Sequence, residues 1–233
     1  MIDPAIFAKY PKQKIDQAIA YLSYRDIKEL PKDENPNFPI LYVFRHGQTE
    51  DNANFLFSGW RDSDLTELGV KQAGVLADKL AHKKIGLLYS SDQIRAIKTI
   101  EIAVSKNESA KSLKIFQDPR IKERSYGDLQ GTSKLVMQLE NPTKLLEYRR
   151  SYFVQPPNGE SIAQVVLRVK DFIEDLLLIM KAKKYNVAVS CHGNSIRGFR
   201  QCFEGLSNEE TASLETPLGQ DYLAYSVHDE KRI

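Results

Sequence analysis

The chain has 233 residues, of which 42% are hydrophobic and 27% charged, with 33 basic and 31 acidic side chains and a formal charge of +2. This composition is typical of a folded globular protein, and it excludes a disordered or collagen-like chain. The charge is too balanced for a protein that binds nucleic acid through bulk charge. The longest aliphatic runs, such as Leu176–Met180, are far shorter than the about 20 residues that cross a bilayer, so we expect no membrane-spanning segment.

The cysteines and the amino terminus indicate a reduced, cytoplasmic protein. Cys191 and Cys202 have no CxxC spacing, which argues against both a zinc site and a disulfide scaffold. Asp3, Pro4 and Lys9 interrupt any apolar stretch near the amino terminus, and this argues against a secretory signal. We therefore expect a cytoplasmic protein that works without a metal.

The first part of the chain differs in character from the rest. Apolar residues recur at helical spacing between Ile15 and Leu22, which predicts an amphipathic helix over roughly residues 13–30. Prolines then break regular structure before residue 40. We predict a helical extension with a proline-rich linker over residues 1–39 and a main domain over residues 40–233. The favoured interpretation packs the helix on its own domain, and the alternative is an arm that binds a partner.

From residue 40 onward, predicted strands and helices alternate. The predicted strands are Ile40–Phe44, Ile85–Tyr89, Leu113–Phe116, Asn186–Ser190 and Tyr222–Val227. The predicted helices are Thr66–His82, Gln93–Ser105, residues 134–152 with an interruption at Pro142, Ile162–Lys181, residues 195–204, and a short helix opened by the capping box Ser207-x-x-Glu210. Strands separated by helices indicate an α/β fold with a mostly parallel sheet that is covered on both faces.

Two histidines come directly after predicted buried strands. His46 follows the strand at Ile40–Phe44, and His192 follows the strand at Asn186–Ser190. The carboxyl ends of parallel strands meet at one edge of a sheet, where ligands of such folds bind, so we expect the two rings to lie close together. A neutral imidazole is a competent nucleophile toward phosphorus. The pair therefore favours phosphoryl-transfer chemistry.

Charged residues near the same edge fit that chemistry. Arg45 precedes His46, and Arg95 begins the helix after the second strand. A guanidinium stays charged and can hold two phosphoryl oxygens at once. Phosphoryl transfer also needs an acid for the leaving oxygen. Glu123 follows the third strand and is a candidate, although a surface carboxylate paired with a neighbouring base is the competing interpretation.

These residues belong to a longer ordered pattern that resembles the histidine phosphatase superfamily, and most closely its cofactor-dependent phosphoglycerate mutases of compact form. The resemblance covers roughly residues 40–215. It rests on the blocks Arg45-His46-Gly47, Phe57-Ser58-Gly59-Trp60, Ser90-x₄-Arg95-Ala96, Glu123-Arg124-x-Tyr126-Gly127, Leu129-Gln130-Gly131-x-x-Lys134, Arg149-Arg150-Ser151-Tyr152 and His192-Gly193-Asn194-Ser195-Ile196-Arg197. It implies a three-layer αβα sandwich.

The resemblance also implies roles for individual residues. His46 would be the phosphorylated nucleophile, Glu123 the general acid, and Arg45, Arg95 and His192 the phosphate pocket, assisted by Asn52 and Asn194. Positions that match those holding the substrate carboxylate and a second phosphate are Ser58, Gly59, Tyr126, Lys134, Arg149 and Arg150. The implied substrate is a small phosphorylated metabolite, with no metal and with 2,3-bisphosphoglycerate as the phosphoryl primer of a mutase. The resemblance leaves open whether the chain forms a homo-oligomer.

Several departures bear on the acceptor of the phosphoryl group. Gln48 stands where an acidic residue is usual and Ser133 where asparagine is usual, residues 216–221 differ from the mutase pattern, and residues 1–39 have no counterpart. Two reactions therefore stay open. The favoured one is the interconversion of 3- and 2-phosphoglycerate in glycolysis, and the alternative is hydrolysis of phosphomonoesters.

Two rival hypotheses come from the same sequence. Residues 191–197 satisfy C-x₅-R, the spacing of cysteine-dependent phosphatases, in which Cys191 would be the nucleophile through a lowered thiol pKa. That hypothesis gives Arg45 and His46 no role in the reaction, so we interpret Cys191 as a small buried residue at a strand end. The second rival is a phosphometabolite-binding module without catalysis. It is disfavoured because none of the catalytic positions is substituted.

Overall fold

The computed structural model describes residues 2–23 and 29–228. Within them, five strands form one sheet in the order β3-β2-β4-β1-β5. The strands are β1 Ile40–Arg45, β2 Leu87–Ser90, β3 Ile115–Gln117, β4 Val187–Cys191 and β5 Tyr222–Ser226. β1, β4, β2 and β3 run parallel to one another, and β5 is antiparallel to β1. The predicted, mostly parallel sheet is therefore confirmed.

Helices fill most of the connections between the strands. The α-helices in the described residues are α1 Pro4–Lys9, α2 Lys12–Leu22, α3 Glu50–Ala53, α4 Glu67–Leu80, α5 Ile94–Ala103, α6 Lys134–Glu140, α7 Pro142–Arg150, α8 Ile162–Lys183, α9 Gly193–Glu204 and α10 Asn208–Ser213. No described helix has the length and apolar character that a membrane span requires.

The sheet is covered on both faces because successive side chains of a strand point to opposite sides. On β1, Tyr42 and Phe44 pack into a cluster with residues of α4 and α5. Leu41 and Val43 pack into a second cluster with residues of α8 and α9. All six residues of β1 are buried, as expected for the centre of such a sheet. The arrangement is the three-layer αβα sandwich.

The extension at the amino terminus packs on the rest of the chain. Ile15, Ala18 and Leu22 of α2 form an apolar cluster with Phe57, Leu135 and Leu145. The helix predicted to run to residue 30 instead ends at Leu22, because Ser23 adopts an extended backbone; residues 24–28 lie outside the described residues. The contact agrees with the favoured interpretation of the helix, while the division into two units at residue 39 stays a prediction.

The proline-rich segment is more ordered than a linker requires. Lys32 pairs with Ala224 of β5, and the backbone N–H of Val227 donates to the Pro39 carbonyl at 2.8 Å. Ser226 Oγ donates to the Asp33 carboxylate at 2.9 Å. β5 is the edge strand of the sheet, and exposed edges invite pairing with other chains. The segment covers that edge.

Several predicted boundaries were wrong by a few residues. The interruption predicted at Pro142 within residues 134–152 is confirmed, since Asn141 ends α6 and caps α7, but the helical region ends at Arg150. The third strand lies at Ile115–Gln117 rather than Leu113–Phe116, and α9 begins at Gly193 rather than at residue 195. The short helix α3, which begins with a capping box at Thr49, was not predicted.

The packing of α2 makes a prediction about stability. Ile15 is fully buried against the α6–α7 region, so Ile15→Ala should lower the free energy of unfolding by about 2–5 kcal/mol. The matched control is Tyr21→Ala on the exposed side of the same helix, which should change it by less than about 1 kcal/mol. Urea unfolding measures both. Equal, small losses would mean that the extension contributes nothing to the core.

Candidate active site

The two histidines predicted to meet do lie together. His46 follows β1 and His192 follows β4, and these strands are parallel neighbours in the sheet. Their ring centroids are 5.0 Å apart, and both side chains are buried. The predicted convergence at the carboxyl edge of the sheet is therefore confirmed.

Glycines hold the turn after His46 in place. A Cβ on Gly47 would lie 2.3 Å from the carbonyl oxygen of Gly69 in α4, and one on Gly219, whose φ is +45°, would lie 2.6 Å from the Gly47 Cα. Any side chain at these positions would push the neighbouring backbone segments apart. The Gly47 N–H also donates to Thr99 Oγ1 at 3.1 Å. The backbone that carries His46 is thus fixed between α4, α5 and the segment before β5.

The surroundings of His46 set its protonation. Its Nδ1 lies 2.7 Å from the Gly47 carbonyl oxygen, a contact that requires a proton on Nδ1, so a neutral ring carries its lone pair on Nε2. Burial lowers the pKa of His46 well below its ordinary 6.5, and the charges of Arg95 and Arg45 lower it further. The ring is therefore neutral and nucleophilic near pH 7.

Buried guanidinium groups surround the histidines. Arg95 of α5 donates to the carbonyls of Arg61 and Gly59, each at 2.9 Å, while Arg45 donates to the Thr216 carbonyl at 2.9 Å. Burial lowers the pKa of Arg95 to about 10, which leaves it charged at neutral pH. Hydrogen bonds to backbone carbonyls orient the two guanidinium groups without adding negative charge, so both contribute positive charge to the pocket.

Glu123 lies in the same site rather than on the surface. Its Oε1 accepts hydrogen bonds from the Arg124 backbone N–H at 2.7 Å and from Asn194 Nδ2 at 2.9 Å. Burial alone would raise the pKa of the carboxyl, but Arg45 and these hydrogen bonds hold it below its ordinary value. The carboxyl is therefore ionised in the ligand-free site.

Residues that were not singled out from the sequence hold the Glu123 segment. Gln93 accepts from the Glu123 N–H at 2.9 Å through its side-chain oxygen, and its amide nitrogen donates to the Gly59 carbonyl at 3.0 Å. Arg168 of α8 and Trp60 both donate to the Glu123 carbonyl, at 3.0 and 2.8 Å. These hydrogen bonds fix the backbone of Glu123 relative to the loop that carries Gly59 and Trp60.

A single pocket collects the predicted site residues. We call it the histidine pocket. The predicted residues that line it are Arg45, His46, Asn52, Ser58, Gly59, Arg95, Glu123, Tyr126, Lys134, Arg149, Arg150 and Asn194. His192 is buried behind this wall, where its Nε2 lies 2.7 Å from Ser91 Oγ. The structure thus brings together all of the predicted positions, while their individual roles remain proposals.

The sequence reasoning missed three polar residues of the histidine pocket, Arg197, Glu215 and Thr216. Arg197 of α9 donates to the Leu214 carbonyl at 2.9 Å, and burial lowers its pKa to about 9. Glu215 forms an ion pair with Arg150. Arg197 stood in a quoted block and could have been found from the helical spacing of three residues that places it beside Asn194. Glu215 lies in a loop without any sequence signal.

The cysteine hypothesis is wrong. The Cys191 side chain is fully buried in the apolar cluster beneath α8 and α9. Burial raises the pKa of its thiol, which is the opposite of what a thiolate nucleophile needs. The interpretation of Cys191 as a buried strand-end residue is confirmed.

A neutral, buried imidazole set among guanidinium groups and a carboxylate defines an enzyme that acts on phosphoryl groups. A family model for the histidine phosphatase superfamily (branch 1) matches residues 41–229. The chain belongs to the histidine phosphatase superfamily.

Relatives within this superfamily include both mutases and phosphatases. The 2,3-bisphosphoglycerate-dependent phosphoglycerate mutase of Bartonella henselae is 36% identical over 182 residues, covering 77% of this chain and 88% of that protein. The mutase of the same name from Chlamydia trachomatis serovar L2 is 30% identical, covering 78% and 91%. Among solved structures, a mycobacterial glucosyl-3-phosphoglycerate phosphatase in complex with VO3 superposes with a TM-score of 0.71 at 26% identity, covering 80% of this chain and 92% of that one.

The buried histidines predict how stability depends on pH. The pKa values of His46 and His192 are lowered in the folded state, so their contribution is complete above the ordinary pKa and is lost as the unfolded chain takes up protons below it. The free energy of unfolding should therefore fall by roughly 2–3 kcal/mol from about pH 7.5 to 5.5. Urea unfolding checks this. His46→Gln cannot be protonated and should remove about half of the decrease; an undiminished decrease would contradict the assignment.

Proposed function

We propose that the chain transfers phosphoryl groups through a phosphohistidine at His46 and that its main reaction is the interconversion of 3- and 2-phosphoglycerate. One observation carries the first part of the proposal. The hydrogen bond from Nδ1 to Gly47 leaves the Nε2 lone pair for attack, in a pocket that His46 shares with Arg45 and Arg95. The curated mutase relatives, at 30–36% identity, support the second part.

In the first half-reaction, His46 Nε2 attacks the phosphorus of the bound ester. The N–P bond forms as the P–O ester bond breaks, and the leaving oxygen takes a proton from Glu123. Arg45 and Arg95 provide positive charge for the equatorial oxygens of the phosphoryl group. The His192 ring lies next to that of His46, with 5.0 Å between the ring centroids. In the second half-reaction, the acceptor hydroxyl gives its proton to Glu123 while its oxygen attacks phosphorus and the N–P bond breaks. This chemistry needs no metal, because buried cations stabilise the transferred charge.

The general acid must acquire its proton when the substrate binds. Arg45 holds the pKa of Glu123 low in the ligand-free site. A bound phosphoryl group brings negative charge next to Arg45 and Arg95 and offsets their effect on the carboxyl. We infer that the pKa of Glu123 rises on binding, so that the carboxyl is protonated when the leaving oxygen needs it.

The remaining cations would hold the rest of a doubly anionic substrate. Arg149, Arg150 and Lys134 line the histidine pocket on the side of α6 and α7. With Ser58, Gly59, Tyr126, Asn52 and Asn194, they form the proposed sites for the carboxylate and the second phosphate. In this proposal 2,3-bisphosphoglycerate is the primer that first phosphorylates His46.

Hydrolysis of a phosphomonoester is the second candidate, and one feature favours it. Glu215 pairs with Arg150 and offsets one of the cations that a mutase would use to retain a bisphosphate between its two half-reactions. A weakly held intermediate gives water time to attack phospho-His46. The glucosyl-3-phosphoglycerate phosphatase fold neighbour supports this candidate.

The two candidates predict different products. Incubation with 3-phosphoglycerate and catalytic 2,3-bisphosphoglycerate should yield 2-phosphoglycerate, with and without EDTA, as measured by coupled assay. His46→Asn should lower kcat at least about 1,000-fold, because it removes the nucleophile, whereas His82→Asn at an exposed position should keep full activity. Free phosphate without 2-phosphoglycerate would assign the hydrolase. Near-normal turnover by His46→Asn would exclude both.

The acid role of Glu123 predicts a dependence on the leaving group. Glu123→Gln keeps an oxygen for the Arg124 and Asn194 hydrogen bonds but cannot deliver an acidic proton. Phosphorylation of His46 by alkyl phosphates should slow by about 100-fold or more. Phosphorylation by p-nitrophenyl phosphate should slow much less, because its leaving group needs little protonation. Rapid-quench measurement of labelled enzyme gives both rates, and equal losses would exclude an acid role.

A further inference from the structure

A second pocket adjoins the histidine pocket, and we call it the annex. Asn52, Lys134 and Arg149 line both, so the two cavities meet at these side chains. The annex is the larger, with about 320 Å³ against about 70 Å³. Its other walls are Leu22, Ser23, Gln48, Ala53, Phe55, Gln72, Leu218 and Gln220. The shared residues place the annex directly beside the histidine pocket, so we expect a ligand whose phosphoryl group lies at His46 to be able to extend into it.

Side-chain amides give the annex a defined hydrogen-bonding character. The side-chain oxygen of Gln72 accepts from the Gln48 N–H at 2.8 Å, that of Gln48 accepts from Thr66 Oγ1 at 2.9 Å, and that of Asn52 accepts from the Thr49 N–H at 3.2 Å. In the described part of the chain, no hydrogen bond uses the amide nitrogens of these three residues. Each amide thus has its acceptor engaged and its two donor hydrogens available.

The distribution of charged residues in the annex also restricts which ligands fit it. None of its described lining residues carries a carboxylate, and its cations, Lys134 and Arg149, lie only at the boundary with the histidine pocket. Leu22 and Phe55 add apolar surface to the lining of the annex. Carbon chains that bear hydroxyl oxygens match a wall of amide donors and apolar contacts.

We propose that the annex binds a polyhydroxylated leaving group, so that the chain accepts phosphoesters of uncharged polyols longer than the three carbons of phosphoglycerate. Leu22 and Ser23 belong to the end of α2, so the amino-terminal extension supplies one wall of this specificity site. The proposal rests on the phosphohistidine chemistry above but not on whether phosphoglycerate or water is the acceptor.

Two substrates of equal charge test the proposal. Sorbitol 6-phosphate and glycerol 3-phosphate differ in the length and hydroxyl number of the leaving group. The rate of phospho-His46 formation divided by KM should be at least tenfold higher for sorbitol 6-phosphate. p-Nitrophenyl phosphate is the reference for the chemistry itself. If it too leaves His46 unlabelled, the proposed function fails; if it labels His46 while the two polyol phosphates react alike, the annex proposal alone is overturned.

Variants within the annex locate the effect. Ala53→Trp fills the cavity from the exposed end of α3 and should reduce the sorbitol-to-glycerol ratio to near one, whereas Ala53→Ser should leave the ratio as it is. Gln72→Glu keeps the oxygen that accepts from the Gln48 N–H but loses both donor hydrogens, and it should lower the ratio about 3–10-fold. A tenfold preference that survives Ala53→Trp would place the polyol elsewhere and overturn the proposal.

Discussion

The site depends on positive charge buried without an equal amount of negative charge. Arg45, Arg95 and Arg197 are almost completely buried, and each donates to a backbone carbonyl. Carbonyl oxygens satisfy hydrogen bonds but carry no net charge, so the desolvation cost of these cations is only partly offset. Among the described residues that line the histidine pocket, the carboxylates are Glu123 and Glu215, and Glu215 is paired with Arg150. In the proposed function, a bound phosphoryl group adds negative charge beside these cations. The desolvation cost that the protein alone does not offset then favours binding of the anion.

The same positive field lowers the pKa of both groups that the proposed mechanism uses, so both are deprotonated. It lowers the pKa of His46, which gives a neutral nucleophile, and it lowers the pKa of Glu123, which gives an ionised carboxylate. A nucleophile needs the first effect, but a general acid does not tolerate the second. The conflict disappears once the phosphoryl group has bound, because its oxygens offset the guanidinium charges that hold the proton off Glu123. In the proposed mechanism, substrate binding is therefore part of the activation of the acid.

Sequence patterns placed the two histidines of the site more reliably than they placed its carboxylates. His46 and His192 could be placed because buried strands are readable as apolar runs and parallel strands end at one edge of the sheet. Glu123 was ambiguous from the sequence alone, since its burial depends on Arg168 and Gln93, which reach it from distant segments. Glu215 could not be found, because a loop residue carries no periodicity.

The extent of α2 and the path of residues 31–39 were unpredictable for related reasons. Ser23 ends α2 with an extended backbone although apolar spacing favoured continuation, because propensity alone does not fix where a helix stops. The proline-rich segment pairs with β5 through backbone groups, and such pairing leaves no side-chain signature. Of these two features, the end of α2 lies at the periphery of the site, where Leu22 and Ser23 line the annex.

That periphery is where members of one superfamily can diverge without changing the reaction. The turn at His46 is fixed by glycine contacts so close that any Cβ would displace it. Glu123 is held by residues of four other segments, those of Trp60, Gln93, Arg168 and Asn194. The mouth is built instead from the end of α2 and the loop that carries Glu215 and Leu218. Neither segment supplies a reacting atom, but the loop carries Thr216, whose carbonyl accepts from Arg45, and Gly219, which packs on Gly47. Its freedom to vary is therefore limited to its other positions. In the proposals made here, Glu215 bears on the acceptor and Leu22 and Gln72 bear on the leaving group, and the shared motifs include none of these three residues.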